Sequence, residues 1–310
     1  MELIRGLHNI HPRHRGCVLT VGAFDGVHLG HQAVLQQLID KGKELGLPTL
    51  VVLFEPLPRE YFSPKLAPAR VMSFREKFRA LKKLGIDRVL RIHFTATFSE
   101  MDATTFIRKV LVQGLGVRYV IVGDDLRFGY NREGSFELLQ EEGKKSGFEV
   151  VSTSTLVIKN KRVSSTRIRQ ALQAANFDLA TELLGRPFSI TGRVIVGQQL
   201  GRQLGTPTAN LELHRLSAPL SGVYAVDVIV AERHVKGVAN IGTRPTVEDR
   251  SKAILEVHLL DFNQDIYGKV IEVFFLKKIR EEKKFASLDL LKQHIHQDIQ
   301  AVRDYFATIQ

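Results

Sequence analysis

The sequence has little of what stabilises or anchors proteins outside the cell. A single cysteine, Cys17, stands among 310 residues, so no internal disulfide can form, and this composition fits a reducing cytoplasm. No apolar run is long enough to span a membrane, and the first residues lack the apolar core of a signal peptide. Internal repeats and low-complexity stretches are also absent. We therefore expect a cytoplasmic protein without a membrane partner.

The bulk composition is that of an ordinary globular protein, with 44% apolar and 25% charged residues. A length of 310 residues is too great for one small core and predicts two domains. The net charge of +11 raises the question of nucleic-acid binding. Lysine and arginine are spread along the whole chain, however, and the histidine- and arginine-rich residues 8–15 are interpreted as a solvated lead-in to the first strand.

The first half alternates between strand and helix patterns. Apolar runs predict strands at 18–21, 49–54, 88–93, 119–122 and 149–152. Helical patterns lie between them, at 32–45, 73–84, 102–111 and 134–146. This alternation predicts an α/β domain with a mostly parallel sheet and helices on both faces. Ligands of such sheets bind at the carboxyl ends of the strands.

The pattern changes near Arg186, where a predicted helix at 179–184 has ended. Short β-rich runs follow, separated by Gly, Pro, Asn and Asp, at 189–196, 223–230, 235–241, 253–261 and 270–276. Many short strands with glycine turns predict a small antiparallel β-barrel, and residues 288–305 predict a C-terminal helix. We expect one domain over 1–185 and a second over 186–310.

Residues 22–31, GAFDGVHLGH, join the first buried strand to the first helix. Backbone N–H groups and the positive end of the helix dipole favour a bound phosphate there. His28 and His31 are three residues apart, so both rings lie on one side of the first turn and can donate to phosphoryl oxygens as charge builds up. The alternatives are a metal-binding pair, for which no further ligands have zinc-like spacing, and incidental residues of a helix start.

A His-x-Gly-His sequence after a first strand resembles the signature of α/β nucleotidyltransferases. With Phe24 and Asp25 ahead of it, the motif is similar to the flavin adenylyltransferase branch of that family. The resemblance implies a Rossmann-like domain in which the phosphate of flavin mononucleotide (FMN) attacks the α-phosphorus of ATP, giving FAD and pyrophosphate. It makes His28 and His31 catalytic, and it places Gly22, Phe24 and Asp25 in the binding site.

Two loops fit the same chemistry. Residues 54–59, FEPLPR, follow the second strand, and their two prolines stiffen a loop that would cover the site. Leu57 stands where the family often has histidine. Residues 122–129 follow the fourth strand and resemble the family loop beside the flavin phosphate and ring. This loop supplies Asp125 as a binding residue, whereas Leu126 replaces the usual aromatic side chain.

Residues 164–169, SSTRIR, form the last cluster of the first half. Taken alone, this cluster predicts a capped basic helix. The resemblance instead makes Ser165, Thr166 and Arg169 a second phosphate clamp that faces His28 and His31 across the triphosphate, with Arg169 counted among the catalytic residues.

The second half carries the string GRQLGTPTAN at 201–210, which lacks the ending of a P-loop. Gly201 and Gly205 permit close approach of the backbone to phosphates. Thr208 and Asn210 alternate, so in extended chain their side chains point the same way. A hydroxyl and an amide oxygen are weak neutral ligands that suit Mg²⁺ held largely by nucleotide phosphates and water. A simple turn is the alternative.

Residues 253–260 predict a strand in which Glu256 and His258 share one face. A lone carboxylate on a partly apolar face costs free energy unless it is paired or used in catalysis. Two interpretations of Glu256 remain open, namely a general base and a salt bridge with Arg244.

The second half, from about 191 to 285, resembles riboflavin kinase in the segments 192–194, 207–210, 222–224, 237–246, 256–258, 267–268 and 279–285. The resemblance implies a six-stranded barrel and a Mg²⁺-dependent transfer of the ATP γ-phosphate to the 5′-hydroxyl of riboflavin. It makes Glu256 the general base and Thr208 and Asn210 the metal ligands. Further binding residues are Gly201, Gly205 and Arg280.

An adenylyltransferase half followed by a kinase half is similar to the bacterial bifunctional riboflavin kinase/FAD synthetase family over nearly the whole chain. The partners implied are riboflavin, FMN, FAD and ATP, with no nucleic acid, in a monomer or weak homo-oligomer. Two alternatives are a cytidylyl- or pantetheine-adenylyltransferase with an accessory barrel, and a basic RNA-binding protein with a Rossmann-like core.

Overall fold

The structure is a computed structural model that describes residues 1–123, 125–153, 156–197, 205–244 and 252–309. Its contacts divide the chain into two units. The first comprises Met1–Pro68 and Phe74–Ser164, and the second comprises Ala69–Ser73 and Ser165–Gln310. The domain boundary at 185/186 stays a prediction.

The first unit is built on a parallel six-stranded sheet. Its strands are β1 Glu2–Arg5, β2 Cys17–Val21, β3 Thr49–Glu55, β4 Arg88–His93, β5 Val117–Gly123 and β6 Glu149–Thr153. Their spatial order is β1-β4-β3-β2-β5-β6. The chain adds β3 and β4 on one side of β2 and then returns to its other side with β5. Open α/β sheets bind ligands at such a reversal, at the carboxyl ends of the strands.

Helices connect these strands. They are α1 Leu29–Leu45, α2 Pro58–Phe62, α3 Phe74–Lys83, α4 Ala96–Ser99, α5 Ala103–Thr105 and α6 Phe136–Ser146, and a hairpin of β7 Val157–Ile158 and β8 Lys161–Arg162 follows β6. Alternation had predicted one α-helix over 102–111. The chain instead passes from α5 into a π-helix, Phe106–Gly114, whose wider turn shows in the Leu115 N–H donating to the Val110 carbonyl at 3.0 Å.

The N-terminal residues correct one expectation. Residues 8–15 are not merely a solvated lead-in, because His14 is only 1% exposed. Its Nδ1 accepts the His11 N–H at 2.9 Å, so its Nε2 carries the proton and donates to the Glu2 carboxylate at 3.0 Å. Hydrogen bonds from Arg13 and then His14 lower the pKa of Glu2 to about 2. This polar cluster fixes the unpredicted edge strand β1.

The second unit contains a closed antiparallel barrel in the order β10-β13-β12-β11-β14-β9. Its strands are β9 Ser189–Ile195, β10 Ala209–Glu212, β11 Gly222–Val230, β12 Arg233–Arg244, β13 Lys252–Leu259 and β14 Val270–Arg280. Five of them arise from the β-rich runs. The sixth, β10, is the short segment after Pro207, so the expectation of a six-stranded barrel is confirmed.

Helices complete the second unit. They are α7 Ser165–Gln173, α8 Phe177–Leu184 and the C-terminal α9 Leu288–Thr308. Val302 and Phe306 of α9 are buried against Val223 and Ala225 of β11. Among the residues that the structure describes, none of the helices combines the length and the apolar character needed to cross a membrane.

Candidate active sites

The loop between β2 and α1 holds an unusual backbone. Phe24 and Val27 have φ angles of 46° and 41°, in the left-handed region that a β-branched residue avoids. Two side chains from neighbouring helices hydrogen-bond to the loop. The buried Lys77 of α3 donates to the Ala23 carbonyl at 2.5 Å, and Gln32 of α1 donates to the Val27 carbonyl at 2.9 Å. Lys77 could not be predicted from the sequence, because only the fold brings α3 to this loop.

The two histidines of the motif lie together. His28 is the N-cap of α1, and its Nδ1 accepts the His31 N–H at 3.2 Å. The rings stack with centroids 3.6 Å apart, and the Phe24 ring lies 4.9 Å from that of His31. With Nδ1 of His28 accepting, its Nε2 carries the proton and can donate.

His31 is an uncharged donor in this arrangement. Burial, reinforced by electrostatic repulsion from His28, Lys77 and Arg162, lowers the pKa of His31 well below its ordinary value of 6.5. Its Nδ1 is buried and makes no hydrogen bond to any described residue. A neutral imidazole at a helix N-terminus is suited to an anionic ligand, to which it can donate one hydrogen bond.

Packing against His28 accounts for the glycine of the His-x-Gly-His sequence. A Cβ on Gly30 would lie 3.2 Å from Nδ1 of His28, so a larger residue would press against the His28 ring, and glycine avoids this contact. Gly22 begins the loop after β2, and Asp25 within it is 2% exposed. The structure therefore brings Gly22, Phe24, Asp25 and both histidines into one strand-to-helix junction, as the motif predicted.

A cavity of about 450 Å³ opens in the first unit near the carboxyl ends of β3, β4 and β5. Six phenylalanines and three arginines contribute to its lining: Phe54, Phe62, Phe94, Phe98, Phe106, Phe128, Arg59, Arg127 and Arg132. Phe54 and Phe128 belong to the two predicted loops. The other rings could not be predicted from the sequence, because they come from separate elements that carry no motif.

The two loops take different forms. Leu57 is the N-cap of α2, and its N–H donates to the Glu60 carboxylate at 3.0 Å, while Pro58 begins the helix and lines the cavity. On the other loop, Asp125 pairs with Arg162 of β8 at 3.0 Å, and both side chains are more than half exposed. Asp124 lies outside the described residues.

The cluster at 164–169 opens α7 in the second unit. Ser165 and Thr166 begin the helix, and Nε of Arg169 donates to the Ala69 carbonyl at 2.6 Å. The buried Arg215 donates to the carbonyls of Arg70 and Val71 at 3.3 and 3.4 Å. Arginines thus hold the segment 69–73, a contact that no sequence pattern indicated. The phosphate-clamp role of Ser165, Thr166 and Arg169 stays a prediction.

Three polar residues form one row across the barrel. In the strand register, Glu256 of β13 lies opposite Asn210 of β10 on one side and Asn240 of β12 on the other. Directly opposed residues of antiparallel strands present their side chains on the same face. Asn240 lies in segment 237–246, which resembles riboflavin kinase, but the sequence predicted no role for it. Its place beside Glu256 depends on the register between β12 and β13. The side chain of Arg244, the alternative partner of Glu256, lies outside the described part of the chain.

Asn210 is closely packed. It is 8% exposed, and a Cβ on Gly197 would lie 2.5 Å from its Cγ. Thr208 stands two residues earlier, directly before β10, and Gly205 has a φ of 77°. Gly201 lies outside the described residues.

Arg280 is engaged within the second unit. Its Nε and Nη2 donate to both carboxylate oxygens of the buried Asp298 at 2.8 and 2.7 Å, and Nη1 donates to the Glu281 carbonyl at 2.9 Å. These bonds tie β14 to α9. The binding role of Arg280 stays a prediction. Within the described ranges, no group of three or more His, Cys, Asp or Glu residues is arranged to hold a metal ion.

Comparison with known proteins decides the family. The family model for FAD synthetase matches residues 10–167, and that for riboflavin kinase matches residues 184–306. The bifunctional riboflavin kinase/FMN adenylyltransferase of Pseudomonas fluorescens is 52% identical over 303 residues, which cover 98% of this chain and 97% of that protein. The chain belongs to the bifunctional riboflavin kinase/FMN adenylyltransferase family.

Another member of the family matches over nearly the full length, and a solved structure shares the fold. The family member from Escherichia coli K12 is 50% identical over 308 residues, covering 99% of this chain and 98% of that protein. A crystal structure described as a macrolide-efflux protein from Streptococcus pneumoniae matches with a TM-score of 0.76 and 30% identity, over 97% of this chain and 98% of that one. The predicted family and the order of its two halves are confirmed.

Proposed function

We propose that the chain makes FAD in two steps, each using ATP. The C-terminal part transfers the γ-phosphate of ATP to the 5′-hydroxyl of riboflavin, giving FMN and ADP. The N-terminal part transfers AMP from a second ATP to the phosphate of FMN, giving FAD and pyrophosphate. The observation that carries this proposal is that both halves match their family models, in this order and over nearly the whole chain.

In the adenylyl transfer, the FMN phosphate attacks the α-phosphorus in line and expels pyrophosphate. The nucleophile is already anionic, so no protein base is required, and the protein positions the reactants and stabilises spreading charge. His28 and His31 donate to phosphate oxygens from the start of α1, where the helix dipole adds to the effect. We assign further binding of the substrates to Gly22, Phe24, Asp25, Asp125, Ser165, Thr166 and Arg169.

The aromatic cavity of the first unit suits the flavin ring of FMN. Its volume of about 450 Å³ lies in the usual range for small-molecule pockets. Phenylalanine rings offer stacking and edge contacts to a planar heterocycle, and the arginines of the lining can meet a phosphate. This lining therefore supports a site that takes both an apolar ring and an anionic group.

In the kinase reaction, we propose Glu256 as the base that takes the proton of the riboflavin 5′-hydroxyl. Thr208 and Asn210 would hold Mg²⁺, which when bound neutralises charge on the ATP phosphates. Their neutral oxygens fit this ion, and no hydrogen bond within the described residues occupies the Asn210 amide. Gly201, Gly205 and Arg280 are assigned to nucleotide binding.

We further propose that the reactions take place in the cytoplasm on free small molecules, by a monomer or weak homo-oligomer. The single cysteine supports a reducing compartment. Its thiol is buried, and burial raises the pKa of Cys17 to about 12, so it remains unreactive.

One assay tests both steps. Purified protein is incubated with riboflavin, ATP and MgCl₂, and flavins are separated by chromatography. We expect FMN to appear first and FAD to accumulate, and we expect EDTA to stop both reactions. Riboflavin that stays unchanged, with salt-sensitive RNA binding instead, would overturn the proposal in favour of the nucleic-acid alternative.

A further inference from the structure

His258 of β13 makes a hydrogen bond that has no part in the kinase mechanism proposed above. Its Nδ1 lies 2.9 Å from the carbonyl oxygen of Pro207. A carbonyl only accepts, so Nδ1 carries the proton and donates. Pro207 has no N–H, so its backbone cannot donate a hydrogen bond to a neighbouring strand.

This bond stands just beyond the end of a strand ladder. The pairing of β10 with β13 begins at Ala209 opposite Val257, so backbone register alone fixes Asn210 but not the residues before Ala209. The His258 side chain meets the chain at Pro207, directly before Thr208. It therefore extends the attachment of this segment past the point where the backbone pairing stops.

The segment has few other attachments. Among the described residues, no other hydrogen bond joins 205–208 to the barrel, and the Thr206 hydroxyl is buried without a partner. Glu256 is two residues from His258 on the same strand, and both side chains are half-buried on one face. One strand thus carries the proposed base and also the side chain that holds the segment containing Thr208, one of the two proposed Mg²⁺ ligands.

We propose that His258 is a positioning residue of the kinase reaction. By holding the Pro207 carbonyl, its Nδ1–H fixes Thr208 relative to Asn210 and Glu256, which the strand register already places opposite each other, so that Mg²⁺·ATP meets the 5′-hydroxyl in line. This inference rests on the proposed roles of Thr208 and Asn210. It predicts that loss of the bond weakens Mg²⁺·ATP binding more than it slows the chemical step.

Side-chain geometry offers a sharp test in the full-length protein. The Nδ2 of asparagine falls near the place of the histidine Nδ1, whereas the Nε2 of glutamine falls near the place of Nε2. His258→Asn should therefore keep the bond, and His258→Gln and His258→Ala should lose it. For the latter two we expect the KM for Mg²⁺·ATP in the kinase assay to rise about three- to tenfold, as for one lost hydrogen bond. His258→Asn should stay within about twofold of the native value.

Two controls accompany the series. FAD formation from supplied FMN should be unchanged in all three variants, which shows that the first unit is intact, and an unchanged melting temperature shows that the barrel is folded. His234→Ala alters a histidine of the same barrel that contacts Asp227, and it should leave the kinase KM unchanged. If His258→Ala fails to fold, the comparison of asparagine with glutamine still decides the question.

A native KM in His258→Gln, or equal values for the asparagine and glutamine variants, would overturn the inference. Thr208→Ala separates this outcome from a failure of the proposed function. If Thr208→Ala abolishes kinase activity while His258→Gln behaves as the native protein, only the role of His258 is wrong. If Thr208→Ala retains full kinase activity, the proposed Mg²⁺ site is wrong and the positioning role falls with it.

Discussion

At the scale of single residues, the histidine pair at the start of α1 makes the first prediction. His28→Ala and His31→Ala should impair FAD synthesis and spare FMN synthesis, because their N–H groups stabilise charge on the transferring phosphate. One such donor is typically worth about 2.7–4 kcal/mol. Chromatography of products from riboflavin should show FMN accumulating without FAD. Normal FAD output from the double variant would exclude this role.

The burial of His31 also predicts a pH dependence of stability. The pKa of His31 in the folded protein lies below the ordinary value of 6.5. Just below pH 6.5, therefore, His31 binds a proton in the unfolded chain but stays neutral in the folded one. The contribution of His31 is present above pH 6.5 and is lost as the pH falls, by up to about 1.4 kcal/mol per unit. Urea unfolding between pH 7.5 and 5 should be less pH-dependent in His31→Gln. An unchanged slope would show that His31 is not held neutral.

A substitution at Glu256 can distinguish a catalytic role of this residue from a structural one. Glu256→Gln keeps the shape but cannot take the proton of the 5′-hydroxyl, so we expect kinase turnover to fall by about a hundredfold to ten-thousandfold. FAD should still form from supplied FMN. A structural salt bridge would instead lower the melting temperature and leave turnover nearly intact. Measuring both quantities on the same variant decides between the two.

Residues could be predicted from the sequence where motif and local structure coincide. His28 and His31 stack because they are three apart on one helix, and that spacing is visible in the chain. Lys77 and Asn240 were missed for the opposite reason. Lys77 reaches the Ala23 carbonyl from 54 positions away, and Asn240 meets Glu256 only through the register of the barrel.

At the scale of elements, the packing of Gly197 on β10 makes a prediction. A methyl group there would overlap the Asn210 amide, with 2.5 Å to its Cγ, so Gly197→Ala must displace the proposed Mg²⁺ ligand. Overpacking of this kind costs about 1–3 kcal/mol. Kinase kcat/KM should fall at least about tenfold, while FAD formation from FMN continues. Kinase activity at the native level would show that Asn210 can move without consequence.

Long apolar or alternating runs predicted most elements correctly, whereas the short strands β1 and β10 were not predicted from such runs. β2 and β3 were located from buried runs, because strands covered on both faces are almost continuously apolar. β1 has only four residues and exists through its pairing with β4 and the polar cluster around Glu2. β10 is equally short and follows a proline, so only the family resemblance pointed to a sixth barrel strand.

At the scale of the whole molecule, the order of the two halves along the chain could be predicted from the sequence. The sequence did not reveal which helices pack with which half. Phe177 of α8 packs on the barrel residues Tyr224 and Phe275, with ring centroids 5.9 and 6.4 Å apart. The helix before the predicted boundary therefore shares the barrel's core. Its amphipathic pattern resembled that of any helix of the first half, and nothing local in the sequence revealed its partner.

This packing leads to a prediction about fragments. A fragment over 186–310 keeps all six strands of the barrel and should phosphorylate riboflavin without making FAD. A fragment over 165–310 adds α7 and α8 and should have the same activity with a higher melting temperature. Two aromatic contacts contribute about 0.5–1.5 kcal/mol each, and 1 kcal/mol shifts the melting temperature of a domain of this size by about 2–8 °C.

Phe177→Ala in the longer fragment tests the cause of that difference. It should remove part of the gain in melting temperature and leave turnover unchanged, since the ring supports the barrel and lies outside the row of Asn210, Glu256 and Asn240. Equal melting temperatures for the two fragments would mean that α7 and α8 add nothing to the barrel. A folded fragment over 165–310 that cannot phosphorylate riboflavin would contradict the assignment of the kinase to this half of the chain.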